Sequence, residues 1–207
     1  MDKLSIYEFL SYFLPGVAGT YIALQLVPES LQLFTSIGEF ADGLVFTIVA
    51  LCLGLLLHRI SFSLSNKKWY KKIIMSPVDI IVTKNPENIK AVFAQIDNQF
   101  NEERLNGGQL FDYAYHYLEF ADKITPAKSF QSIYFFLRNL ALLLTLWLVL
   151  LLVGVIFHYQ FNKCMTLIIA FLICLPLLTS AANFYREKMV VRIFNTFAVA
   201  MKLQRQA

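Results

Sequence analysis

The chain has 207 residues, 57% of them hydrophobic, with 18 Lys and Arg against 14 Asp and Glu and a net charge of +4. A water-soluble domain of this length cannot bury so much apolar surface, which excludes a soluble globular protein. Three cysteines without a Cys-x-x-Cys pair (Cys52, Cys164, Cys174) and three scattered histidines argue against a disulfide framework or a metal site.

Residues 1–65 read as a first transmembrane hairpin, with candidate spans at about 11–27 and 44–64. An apolar run of about 20 residues is what a helix needs to cross the roughly 30 Å hydrocarbon core. The first span carries Pro15, Gly16, Gly19, Thr20 and Gln25, so a broken, re-entrant or interfacial helix is its rival reading. A cleaved signal peptide fits poorly, because Asp2 and Glu8 stand where a signal is positive. The connection 28–43 holds Glu29, Glu39 and Asp42 and no Lys or Arg.

Residues 66–130 read as a cytoplasmic helical module. It opens on Lys67, Lys68, Trp69, Tyr70, Lys71 and Lys72, a lysine cluster around two aromatic rings that suits an anionic headgroup layer. A phosphate-bearing ligand or nucleic acid is the second reading of that cluster. Asn85-Pro86-Glu87 is a helix start, followed by Ile89, Val92, Phe93, Ile96 and Phe100 at helical spacing. Asn106-Gly107-Gly108 reads as a helix stop. A second helix is predicted over 109–123, where Phe111, Tyr113, Tyr115, His116, Tyr117 and Phe120 form a dense aromatic group. Such a group is either a ligand or base-stacking surface or core packing with membrane contact; core packing is favoured.

Residues 131–207 read as a second hairpin with an inward extension. One helix is predicted over 127–157, with Thr125 as its cap and Arg138 snorkelling to headgroups. Its leucines look lipid-facing on much of the circumference. The last helix spans 165–185 and continues to about 203. Its apolar residues Met189, Val190, Val191, Ile193, Phe194, Phe197 and Met201 must pack on the two helices of the middle segment or on another subunit. Pro15 and Pro176 are candidate kinks, and Gly16, Gly19, Ser180, Phe194, Phe197 and Met201 are the expected oligomer-packing residues.

The expected fold is therefore all-α: a polytopic membrane protein with four transmembrane helices. Its helical cytoplasmic module combines segment 66–130 with inward extensions of the last two helices. Of the 18 basic residues, 17 fall on one side of the four spans, and Lys163 is the exception. Basic residues are retained on the cytoplasmic side, which puts both termini there and the spans in an inner membrane.

No ionisable residue lies near the middle of a span, which argues against a pump or secondary transporter. No catalytic motif or phosphate-cradling loop occurs, so no enzyme, catalytic residue or cofactor is expected. Direct nucleic-acid binding is not expected either, since basic inner loops already serve orientation. Two readings remain. One is a membrane-embedded binding protein with a soluble partner. The other is a pore or membrane-disrupting assembly gated by its inner module, through a nucleotide signal for example.

The opening Ile6-Tyr7-Glu8-Phe9-Leu10-Ser11-Tyr12-Phe13-Leu14-Pro15-Gly16, the four spans and the inner segment of about 70 residues resemble membrane components of bacterial anti-phage systems. The nearest is the four-span membrane subunit of the Kiwa system. The resemblance implies a homo-oligomeric membrane sensor of phage infection whose inner face recruits a soluble, DNA-binding effector.

Overall fold

The computed structural model describes residues 6–26, 39–65, 67, 70, 78–84, 106–157 and 161–204. Among these the chain forms helices α1 (Ile6–Leu26), α2 (Glu39–Leu64), α3 (Val78–Lys84), α4 (Gly107–Phe120), α5 (Thr125–Ile156) and α6 (Phe161–Gln204), with no strand. The helix expected from Asn85-Pro86-Glu87 and the acidic connection 28–43 lie outside the described residues, apart from Glu39 to Gly43, which begin α2.

Three helices are long and apolar enough to cross a membrane: α2 over Asp42–Leu64, α5 over Thr125–Ile156 and α6 over Phe161–Met201. The chain is a multi-pass membrane protein on that evidence. Helix α1 runs unbroken through Pro15 for 21 residues, about 31 Å at 1.5 Å per residue. Helix α1 is therefore not broken at Pro15, and it is not among the three helices above. Helix α6 likewise continues through Pro176 for 44 residues.

The chain divides into two compact units. The first comprises residues 1–67 and 132–182, the second residues 68–131 and 183–207. In the first unit, α1 and α2 meet backbone to backbone. A Cβ at Gly16 would lie 1.7 Å from the Ala50 carbonyl oxygen, and one at Gly54 would lie 2.0 Å from that of Tyr12. Only glycine permits that approach. The span portion of α5 packs through Leu142 and Leu143 against Leu57, and through Leu144 and Leu151 against Cys164, Ile168 and Phe171. Its spanning window is 33% buried, against 17% for α2 and α6. The leucine-rich helix is thus the most enclosed of the three, yet two thirds of its spanning window is not buried, with Leu146, Leu150 and Leu152 among its exposed residues.

Five threonine hydroxyls along these helices are satisfied locally. Thr20, Thr47, Thr145 and Thr166 each donate to the carbonyl four residues back, and Thr179 donates to that of Pro176. A hydroxyl so occupied can face lipid without an orphaned donor.

The second unit has its own core. Leu110, Ala114 and Leu118 lie one helical turn apart on α4 and pack with Val78, Ile81, Ile124, Ala127 and the α6 residues Met189, Val190, Ile193, Phe194, Phe197, Ala200 and Met201. The broad stripe near the chain's end is therefore taken up by the middle segment. Asn106-Gly107-Gly108 proves to be a start. The Asn106 side chain accepts from the Gln109 backbone N–H at 2.9 Å, and the Gln109 side chain accepts from the Asn106 N–H at 2.9 Å. This capping box satisfies two donors that a helix N-terminus leaves free, so polar capping overrides the glycine signal. Thr125 is the first residue of α5 rather than its cap; the Ile124 carbonyl accepts from the Ala127 N–H at 2.8 Å.

Helix α4 closes with Asp122 at φ 54°. The Lys123 N–H donates to the Leu118 carbonyl and that of Asp122 to Glu119, a turn that normally employs glycine. Asp122→Gly is expected to stabilise this unit by about 1 kcal/mol by removing the left-handed strain. A melting temperature raised by a few degrees in detergent checks it; a fall would show that the aspartate side chain is needed there.

Candidate functional site

Two arrangements stand out, one in each unit. In the first unit a polar cluster sits among α1, α2 and α5. Asn139, fully buried on α5, has its side-chain amide nitrogen 3.2 Å from the Ser11 carbonyl of α1 and 3.2 Å from His58 Nδ1 of α2. The His58 ring stacks edge-on against Tyr12 at 4.4 Å and Phe135 at 5.4 Å. Three helices are tied at one level by one amide and one imidazole.

Beside them, Arg138 is 2% exposed. Its guanidinium lies over the rings of Phe135 at 4.8 Å and Tyr134 at 5.5 Å. Its Nε and Nη2 make no hydrogen bond. Sequence reasoning put Arg138 at the headgroups by snorkelling; instead it is folded into the bundle, because the faces of two neighbouring rings hold the cation. Arg138, Asn139 and His58 were not singled out as site residues. The signal available was three polar groups at one depth in two apolar spans, which a chain-order reading treats as separate boundary residues.

The second arrangement is the α4 aromatic group. Tyr113 and Tyr117 pack edge-on against Phe197 at 5.9 and 5.2 Å, and Phe111 packs likewise against Phe194 at 6.2 Å. The Tyr115 hydroxyl reaches Gln131 at 3.4 Å. All four rings are half-buried against the core, so no stacked row is presented to a nucleotide base. Core packing, the favoured expectation, is what the rings do. Phe120 is different: it stands 95% exposed at the end of α4, beside His116 and Glu119.

No protein-family model, no curated protein and no solved structure matches the chain.

Of the lysine cluster, Lys67 is exposed, while Lys68, Trp69, Lys71 and Lys72 lie outside the described residues. Among the expected oligomer-packing residues, Gly16 seats α2, and Gly19 faces the side chains of Leu53 and Leu143. Phe194, Phe197 and Met201 are buried in the second unit's core, leaving Ser180 exposed. Among the described residues no three His, Cys, Asp or Glu side chains converge to hold a metal. Cys52, Cys164 and Cys174 form no disulfide with one another.

Proposed function

We propose that this chain is a four-span protein of a bacterial inner membrane with both termini in the cytoplasm. It acts as a homo-oligomeric sensor and scaffold of anti-phage defence that recruits a soluble cytoplasmic partner. The single observation that carries the reading is the second unit, a compact helical body with its own core, built on the ends of two helices that also supply spans. The asymmetric distribution of basic residues supports the orientation, and the tight seat of Gly16 on α2 supports α1 as the fourth span.

The partner surface in this reading is the outward face of α4, with Asp112, His116, Glu119 and Phe120 exposed. A lone ring at 95% exposure among charged groups is the kind of anchor that a partner's pocket buries. Self-association falls to the outward face of α6, where Ile173, Cys174, Leu177 and Ser180 are exposed.

The test is a phage challenge of cells carrying the gene with its genomic neighbours, combined with a membrane-potential dye. Expected is protection that requires both this chain and a neighbouring soluble protein, recovery of that protein in the membrane fraction, and an unchanged potential. Phe120→Glu should release the partner while the chain still folds. Protection accompanied by prompt depolarisation without any partner would replace this reading with the permeation one.

A further inference from the structure

Helices α4 and α6 of the second unit meet through their rings: Phe111 on Phe194, and Tyr113 and Tyr117 on Phe197. A helix turns by about 100° per residue. On α4 the buried Leu110, Ala114 and Leu118 therefore lie opposite the exposed Asp112, His116 and Glu119. On α6 the buried Val190, Ile193 and Phe197 lie opposite the exposed Phe184, Lys188, Arg192 and Val199. The two inner faces share one core, so the two outer faces point away from each other.

Their charges are opposite. Helix α4 holds Asp112 and Glu119 and no Lys or Arg. His116 and Lys128 approach the Glu119 carboxylate at 4.0 and 3.9 Å, and Asp112 lies about two turns earlier on the same face. The outer face of α6 carries Lys188 and Arg192, with the half-buried Glu187 at its margin. The Lys188 ammonium lies over the Phe184 ring at 5.3 Å. Each face also exposes apolar surface: Phe120 at the end of α4, Phe184 and Val199 on α6. The unit is thus acidic on one side and basic on the other, with an exposed ring on each. Such a body is complementary to a copy of itself, because rings anchor a contact while opposite charges steer it and fix its register.

We propose that the α6 stripe of Phe184, Lys188, Arg192 and Val199 binds the α4 face of a second copy of this chain, at Asp112, Glu119 and Phe120. The contact joins unlike surfaces, so it closes copies into a ring or extends them as a row. It rests on the self-association reading above and names the surfaces that the second unit contributes. A neighbour seated on α4 also covers Phe120, so it competes with the soluble partner for that face, and assembly regulates recruitment.

The experiment measures energy transfer between two differently labelled copies of the full chain in isolated membranes. Reversing the stripe (Lys188→Glu with Arg192→Glu) should weaken association by about tenfold, and so should reversing the α4 face (Asp112→Lys with Glu119→Lys). Mixing the two reversed chains should restore it, because each then meets only its complement; so should all four changes in one chain. Lys188→Gln with Arg192→Gln repels nothing, should weaken association less, and serves if a reversed chain misfolds. In the wild type, a carbodiimide that joins touching amines and carboxylates should link Lys188 of an isotopically light copy to Asp112 or Glu119 of a heavy one. Transfer undiminished by either reversal, or mixing without rescue, overturns the proposal and leaves self-association standing. No transfer in the wild type overturns both. Dependence on Lys188 and Arg192 but not on Asp112 and Glu119 gives the stripe to lipid headgroups and likewise overturns the proposal.

Discussion

Gly16→Leu should leave little folded protein. A side chain at that position meets the Ala50 carbonyl oxygen, and one at Gly54 meets that of Tyr12, so the obstacle is backbone and cannot rotate aside. Overpacking of side chains costs about 1–3 kcal/mol, and a clash with backbone belongs at the upper end or beyond, since α1 must be displaced from α2 as a body. The other glycines supply internal controls. A Cβ at Gly19 meets only the methyl ends of Leu53 and Leu143, which can turn, and one at Gly43 meets nothing within 4 Å. The expected order of loss in detergent melting and protease resistance is Gly16 and Gly54 together, then Gly19. Gly43→Ala should be neutral or mildly stabilising, because alanine favours the helix. If Gly16→Leu and Gly43→Ala behave alike, α1 is not seated on α2 in the folded protein.

Phe197→Ala is the second large effect. Its ring is fully buried and is the common partner of Tyr113 and Tyr117. Truncating a buried phenylalanine typically costs about 3–5 kcal/mol through lost contacts and the cavity left behind. The loss should appear as early proteolysis of α4, with the apolar spans still protected. Phe120→Ser, at the exposed end of the same helix, should change stability by no more than about 0.5 kcal/mol. Equal damage from both would mean that Phe120 is not at the surface and would remove the proposed partner face.

The helices were largely legible because their signals are long. An apolar run such as 139–157 has one physical solution in a bilayer, and the stripe Met189 to Met201 can only be covered by another helix. What was not legible is which residues meet. Gly16 and Gly19 were expected to face other helices or subunits, since small residues mark close helix approach without naming the partner; Gly16 lies against Ala50 and Gly54 of the same chain. The leucines of α5 divide between exposed positions and packed ones such as Leu142 and Leu151, and composition does not say which is which because leucine is equally content in lipid and in protein. Asn106-Gly107-Gly108 was taken as punctuation in the wrong direction, since the glycine pair outweighed the Asn106–Gln109 spacing that signals a capping box. The polar cluster went unseen because Ser11, His58 and Asn139 come from three helices far apart in the chain.

The second unit is assembled from residues far apart along the chain, and this sets an order of events at the ribosome. Leu118 of α4 is translated 79 positions before Phe197, its fellow in the core. At about 5–20 residues per second, that interval is roughly 4–16 s. Throughout it the nascent α4 carries a greasy flank with nothing from the final helix to cover it, while two further segments are handed to the insertion machinery. Membrane integration must come first and closure of the second unit last, so a delay in inserting α5 or α6 prolongs the time in which the young polypeptide is open to chaperones and proteases.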